Sequence, residues 1–186
     1  MKHLGTRIIE TDRLILRRFT LEDADDMYRN WANDEEVTRY LTWPPHTSVE
    51  ATGELLQGWI EAYQDIRNYN WCIEWKENHE AIGSISVVHL NDVIASVEIG
   101  YCIGHGYWRQ GITSEALKAL VKFFFGEVGV NRVEARHDVN NPGSGKVMLK
   151  CGLKYEGTRR KADKNNTGLC DMALYGMLAE DYYSIG

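Results

Sequence analysis

The chain has 186 residues, of which 44% are apolar, 26% charged and 11% aromatic, with a formal net charge of −6. That length suits one domain, residues 1–186, large enough to bury a core without disulfide or metal staples. The composition excludes disorder and collagen-like repeats, and the acidic balance lacks the footprint of a nucleic-acid binder, although a local basic patch is still allowed. Arg13–Arg17 alternates apolar and polar residues and reads as a strand. Thr20 opens a helix over Leu21–Trp31, with Asp23 three residues on as a capping partner, and Asp34–Tyr40 makes a further helical turn that Trp43-Pro44-Pro45-His46 ends. Thr47 to Glu50 has the spacing of a capping box for a helix that runs to about Ile66. Asn70–Lys76, Ala81–Leu90 and Ser96–Ile103 are then three strands of a meander.

The pattern changes after Ile103. Gly104–Gly111 is a glycine-containing loop, and a helix with the apolar stripe Ala116, Leu117, Leu120, Val121 and Phe124 follows from Thr113. Arg132–Val139 is a strand and Asn141–Lys150 a short helix. Tyr155–Lys161 and Asp171–Met177 form a closing hairpin around a turn at Lys164–Gly168. Strands and helices in this order within one unit predict an α/β fold with a mixed sheet.

Cys72, Cys102, Cys151 and Cys170 are too far apart in sequence to form a zinc-type pair, and read as buried free thiols of a reducing cytoplasm. The opening MKHLGTRIIETDRL lacks the apolar region of a signal peptide. No apolar stretch approaches the ~20 residues of a membrane span. The expectation is a cytoplasmic protein with neither membrane nor nucleic-acid partners and no metal.

The loop Gly104–Ser114 joins a strand to a helix. Its glycines permit close backbone approach, and the first helical turn presents unpaired N–H groups at the positive end of a dipole, so the segment suits a phosphate or pyrophosphate. Arg109 adds a cation. The Gly-Lys-Ser/Thr of a P-loop is missing, as is G-x-G-x-x-G. An ordinary strand–helix turn remains the simpler alternative. Asn141-Pro142 is a strong helix start, with Asn as cap and Pro at the first helical position.

Taken together, Glu98–Ile103, Gly106–Ala116, Asn141–Leu153 and Glu156-Gly157 resemble the GNAT superfamily of acyl-CoA-dependent N-acyltransferases. With the opening Glu10–Arg17, they are most similar to its RimJ/RimL branch, which includes acetyltransferases of ribosomal-protein N-termini. The resemblance implies a mixed, mostly antiparallel central sheet of about six or seven strands with helices on both faces, and a cofactor cleft between two splayed central strands. It implies acetyl-CoA as cosubstrate, with Tyr101, Cys102 and Ile103 along the pantetheine arm. Trp108, Arg109, Gln110, Gly111, Ile112, Thr113 and Ser114 would surround the pyrophosphate, and Asn141 would bond the pantetheine. Lys146 would reach toward the cofactor tail or stand solvated.

Two positions depart from the family. Thr113 stands where Gly or Ala is usual, and Met148 where many relatives carry a proton-donating tyrosine. Ser144 is the expected substitute donor by the resemblance, or else a helix-turn residue that bonds backbone. Glu98 matches the family's carboxylate base, or is a salt-bridge partner. Cys102 and Cys151 read as wall or core residues, and His105 and His137 as structural or as proton relays. The expected acceptor is a primary amine, a peptide or protein N-terminus or a small amine; a homodimer is allowed. The alternative is an acyl-CoA-binding module without transfer.

Overall fold

The computed structural model describes residues 1–184. Eight strands form one sheet: β1 (Ile9–Glu10), β2 (Leu14–Arg17), β3 (Asn70–Trp75), β4 (Ala81–Asn91), β5 (Ser96–Ile103), β6 (Arg132–Asp138), β7 (Lys154–Asn165) and β8 (Gly168–Leu178). Their order is β1-β2-β3-β4-β5-β6-β8-β7, and every neighbouring pair is antiparallel except β5–β6. The strand beyond the seven read from sequence is β1, which at two residues is too short to show a period.

The helices are α1 (Ala24–Met27), α2 (Glu35–Thr38), α3 (Val49–Ala62), α4 (Ile112–Phe123), α5 (Pro142–Lys150) and α6 (Ala179–Ser184). The continuous helix expected over Leu21–Trp31 is instead a 3₁₀ turn at Leu21–Asp23, then α1, then a π turn at Tyr28–Ala32. Tertiary contacts account for the wide turn. It buries Trp31 and Ala32, and it lets Asn30 Nδ2 donate to the Ala81 carbonyl at 2.7 Å. The capping residue of α3 is Ser48 rather than Thr47: Ser48 Oγ accepts from the Ala51 amide at 3.2 Å. The helix ends at Ala62, short of Ile66, which is exposed. The closing hairpin is longer than its apolar pattern, because β7 carries mostly exposed polar residues and gives no alternation to read.

Helices cover both faces. Trp71, Ile73, Ile85, Val97 and Ile99 pack with Leu117, Leu120, Phe123 and Phe124 in the larger core, beneath α4. Phe19, Met27, Trp31, Leu56, Cys72 and Ala81 form a second core on the α1 and α3 side. The feature that positions the site is the short parallel pairing of β5 with β6. It spans only Ser96–Glu98 against Arg132–Glu134. Beyond Glu98, β5 keeps β4 on one side and has no strand on the other, while β6 stays paired with β8. A wedge therefore opens in the middle of the sheet.

On the opposite half, Arg17 ties strand to helix. Its guanidinium donates to Asp23 at 2.7 and 2.8 Å and also bonds Glu74. The Arg17 side chain is 21% exposed, and Asp23 and Glu74 are 6% and 10% exposed. Burial pushes the Glu74 carboxyl up, but Arg17 and His79 outweigh it and hold it below its ordinary value. A depressed folded value means that this contribution is complete above the unfolded value, about 4.3, and is lost as pH falls through the folded one. Arg17→Ala should remove about 3 kcal/mol at pH 7, the lower end for a broken buried pair, and flatten the acid limb. Urea unfolding at pH 7 and below pH 4 checks both.

Candidate functional site

The wedge opens into a cleft of about 650 Å³. Its wall after β5 is the loop to α4, where Arg109 (φ +61°) and Gly111 (φ +77°) are both left-handed. Such a conformation strains a residue with a Cβ and suits glycine. The loop is held from behind. Trp108 Nε1 donates to the Ile103 carbonyl at 2.9 Å, and Gln110 Nε2 to the Gly106 carbonyl at 2.9 Å. Arg13 Nη1 donates to the Gln110 carbonyl at 3.1 Å. Glu115 anchors Arg13 in turn: Oε2 accepts from Arg13 Nε at 2.7 Å, and Oε1 from the Arg13 amide at 2.9 Å and Thr11 Oγ1 at 2.6 Å. Burial would raise the Glu115 carboxyl, but these donors hold it below its ordinary value. The amides of Ile112, Thr113 and Ser114, at the start of α4, have no acceptor within the helix.

The opposite wall is the start of α5. Asn141 does not cap it with its side chain, contrary to the sequence reading; Nδ2 donates instead to Ser144 Oγ at 3.3 Å. Tyr101 reaches across the wedge and donates its hydroxyl to the Ser144 carbonyl at 3.0 Å. Gly145 lets α5 lie close against β6 and β8: a Cβ there would lie 2.6 Å from His137 Nε2 and 3.2 Å from the Tyr175 hydroxyl. Met148 is 1% exposed and belongs to the main core, so at this position the chain has a packing residue rather than a cleft residue.

All the expected cofactor residues except Gln110 line the cleft, and Ser144 joins them. Gln110 is exposed and spends its amide on the loop itself. Lys146 is exposed at the cleft. Sequence reasoning missed the outer wall, Glu36–Leu41 around the end of α2, and Lys150 on α5. No spacing rule points to a helical turn distant in sequence. Among the described residues that line the cleft, four are cations (Arg39, Arg109, Lys146 and Lys150) and one is an acid, Glu36. With the open β5 edge and two helix starts, that is a groove for an extended, anionic molecule.

The tip of the β7–β8 hairpin clasps both walls. The Asn166 amide donates to Leu41 O at 3.2 Å, and its Nδ2 to Thr38 O at 2.9 Å and Trp43 O at 2.8 Å. Asn165 Nδ2 donates to Asp138 Oδ2 at 2.7 Å, at the end of β6 just before α5.

Glu98 stands apart from this group. Strand alternation turns it to the α1 and α3 side, where it lines a separate cavity of about 250 Å³ with Glu134, Arg136, Arg159 and Tyr175. Its Oε1 accepts from Arg136 Nε at 2.8 Å, and its side chain is 15% exposed. Cys102 Sγ lies 3.3 Å from Ser84 Oγ, and burial pushes its thiol up, as it pushes Cys151 to about 11. Neither is a ready thiolate. His105 is exposed, 3.9 Å from Asp34 Oδ2. His137 is buried; its Nδ1 bonds the Asp138 carbonyl at 2.7 Å and its Nε2 has no partner among the described residues. No hydrogen bond joins either histidine to Glu98 or to the Ser144 hydroxyl.

No group of three His, Cys, Asp or Glu among the described residues is placed to hold a metal, and no described helix is long and apolar enough to cross a membrane. A family model described as an acetyltransferase (GNAT) domain matches residues 13–154. The chain is 34% identical over 171 residues to the uncharacterized N-acetyltransferase YoaA of Bacillus subtilis (strain 168), covering 92% of this chain and 96% of that protein. It is 30% identical over 149 residues to the ribosomal-protein-serine acetyltransferase of Escherichia coli (strain K12), covering 80% and 82%. In structure it is similar to the microcin C7 self-immunity acetyltransferase MccE, solved with acetyl-CoA and AMP (TM-score 0.80, 22% identity, 90% of this chain and 93% of that one).

Gly111→Val places a β-branched side chain at φ +77°, beside Lys150 and Arg13. It should weaken coenzyme A binding about tenfold or more, roughly 1.4 kcal/mol. Calorimetry on a variant whose fold is checked by circular dichroism measures this; unchanged affinity would remove the loop from the binding site.

Proposed function

The chain belongs to the GNAT family of acetyltransferases and is an acyl-CoA-dependent enzyme; on that premise we propose that it moves an acetyl group from acetyl-CoA to a primary amine, by direct attack and without an acyl-enzyme. The preferred acceptor is the α-amine of a peptide or protein, or a similar small amine. The observation that carries the reading is the cleft itself: an open strand edge at Tyr101–Ile103, the starts of α4 and α5, and four lining cations against one acid.

The residues present fit acetyl-CoA. The loop Trp108–Ser114 offers its amides to the pyrophosphate, with Arg109, Lys146 and Lys150 as counter-charges. The free edge of β5 lies along the pantetheine arm, and Asn141 offers Oδ1, which its contact with Ser144 leaves available. Bound acetyl-CoA supplies the acetyl thioester. Glu98 takes a proton from the acceptor ammonium, directly or through water, leaving a neutral amine. The amine nitrogen bonds to the acetyl carbon as the carbon–sulfur bond breaks, the Ser144 hydroxyl gives a proton to the leaving sulfur, and the second proton that the nitrogen sheds restores the hydroxyl. With Met148 in the core, Ser144 is the hydroxyl at the start of α5 that lines the cleft.

The preference for an α-amine has a physical reason. Its pKa is near 8 and that of lysine near 10.4, so deprotonation at pH 7 costs about 1.4 kcal/mol against about 4.6. The name of the Escherichia coli relative, which acts on a ribosomal protein's serine, supports the same class.

The deciding experiment is a panel of amines with acetyl-CoA, read by release of free thiol. It includes a basic, serine-initiated peptide with either its N-terminus or its lysines blocked. The expected result is acetylation of the peptide with free N-terminus; acetylation confined to lysine overturns the acceptor class and leaves the enzyme class intact. Ser144→Ala should lower kcat about 10²-fold or more with little change in coenzyme A affinity. Full kcat, with chemistry shown to limit turnover, returns Ser144 to a purely helical role.

A further inference from the structure

Glu98 and Glu134 are direct register partners on the last rung of the β5–β6 pairing, and both line the 250 Å³ cavity. Like charges placed opposite each other destabilise a sheet, and here each is met by an arginine. Arg132 Nε donates to Glu134 at 2.8 Å and its Nη1 to Glu156 at 2.9 Å. Arg136 Nε donates to Glu98 at 2.8 Å, and its Nη2 lies 3.4 Å from Asp163 Oδ2 on β7. Each guanidinium is thus shared by two carboxylates, and each row carries one more acid than base.

The second row differs from the first in one respect. Its inner carboxylate is the one read as the base. Among the described residues, Arg136 is the only cation within ion-pair distance of Glu98. Arg159 lines the same cavity and, among the described residues, forms no ion pair with Glu98 or with any other carboxylate. Arg136 is the more exposed partner, at 39% against 15% for Glu98, and therefore covers the carboxylate from the solvent side.

The geometry points to Arg136 as a positioning residue that holds the place of the acceptor's ammonium on Glu98 and yields it by moving onto Asp163. This inference rests on the reading of Glu98 as base. A cation that takes Glu98 Oε1, the oxygen that Arg136 Nε occupies, must displace the guanidinium. A neutral amine could not compensate a largely buried carboxylate for that loss, whereas an ammonium replaces one positive charge by another. Asp163, itself 31% exposed, keeps the departing guanidinium paired. The exchange therefore selects acceptors that arrive protonated, as ammonium ions, and keeps both Glu98 and Arg136 paired as the acceptor binds. It also separates binding from proton transfer, because Glu98 takes the proton only from the cation that has replaced Arg136.

Two measurements test this. The first follows the Arg136 Nε–H nitrogen resonance, assigned from Arg136→Lys, in the wild-type protein. Methylammonium chloride should shift it where equal potassium chloride does not, and the shift should vanish in Glu98→Gln. The second is steady-state kinetics with the amide of Ser-Ala-Ala as acceptor. Asp163→Asn should raise the peptide KM about threefold, the weight of one partly exposed ion pair, with a smaller effect on kcat and none on the acetyl-CoA dissociation constant. A resonance that methylammonium leaves in place overturns the exchange, as does an Asp163→Asn KM equal to that of wild type. A Glu98→Gln enzyme with full kcat overturns the base reading separately, since the resonance experiment needs no turnover.

Discussion

The structure depends on where the parallel pairing of β5 and β6 stops. Three residues on each strand are joined, and past Glu98 and Glu134 the strands part. A sheet interrupted in its middle leaves backbone N–H and C=O groups without ladder partners, and such groups must be satisfied by something other than strand. Here the gap is spanned on one side by the Tyr101 hydroxyl reaching Ser144, which ties the free edge to the start of α5. The remaining edge is what a strand-like ligand would complete. The continuous ladders β2–β5 and β6–β8–β7 are the two rigid halves that hold the gap open.

Charge is sorted across that gap. The net charge of the whole chain is negative, yet the cleft beside α4 and α5 is lined chiefly by Arg and Lys. The cavity around Glu98 carries carboxylates that share their arginines. The cleft thus carries an excess of positive charge, whereas around Glu98 acids and arginines balance, so the two sides of the splay differ in character. The Glu115–Arg13 anchor adds rigidity on the cosubstrate side, since a loop with two left-handed residues keeps its shape only if its surroundings impose it.

Much of this was legible in the sequence. Alternation in Trp71, Ile73 and Trp75 and the stripe from Ala116 to Phe124 marked strand and helix correctly, although β3 is buried on both faces, with Cys72 and Glu74 on the second. The glycine loop before α4 and Asn141-Pro142 pointed to the residues that line the cleft. What escaped had no local signature. Arg39 and Lys150 reach the cleft only through tertiary packing. Ser48 outcompeted Thr47 as cap because the chain enters α3 one residue later than the box spacing suggests. Asn141 looked like a cap from its neighbour Pro142, but its side chain turns to Ser144. Tandem residues at the start and end of elements follow geometry that a spacing rule does not carry.

The hairpin tip at Asn165 and Asn166 has a consequence for how this chain can change over evolutionary time. Turns between exposed strands are ordinarily where insertions and deletions accumulate, because nothing else depends on their length. Here two adjacent asparagines are fastened to opposite sides of the same groove, one to Asp138 and the other to Thr38, Leu41 and Trp43. Adding or removing one residue between β7 and β8 would turn one of the pair away from its attachment. The turn is therefore length-locked, and drift along the groove is left to the side chains of the 36–41 wall rather than to the loop that would otherwise vary first.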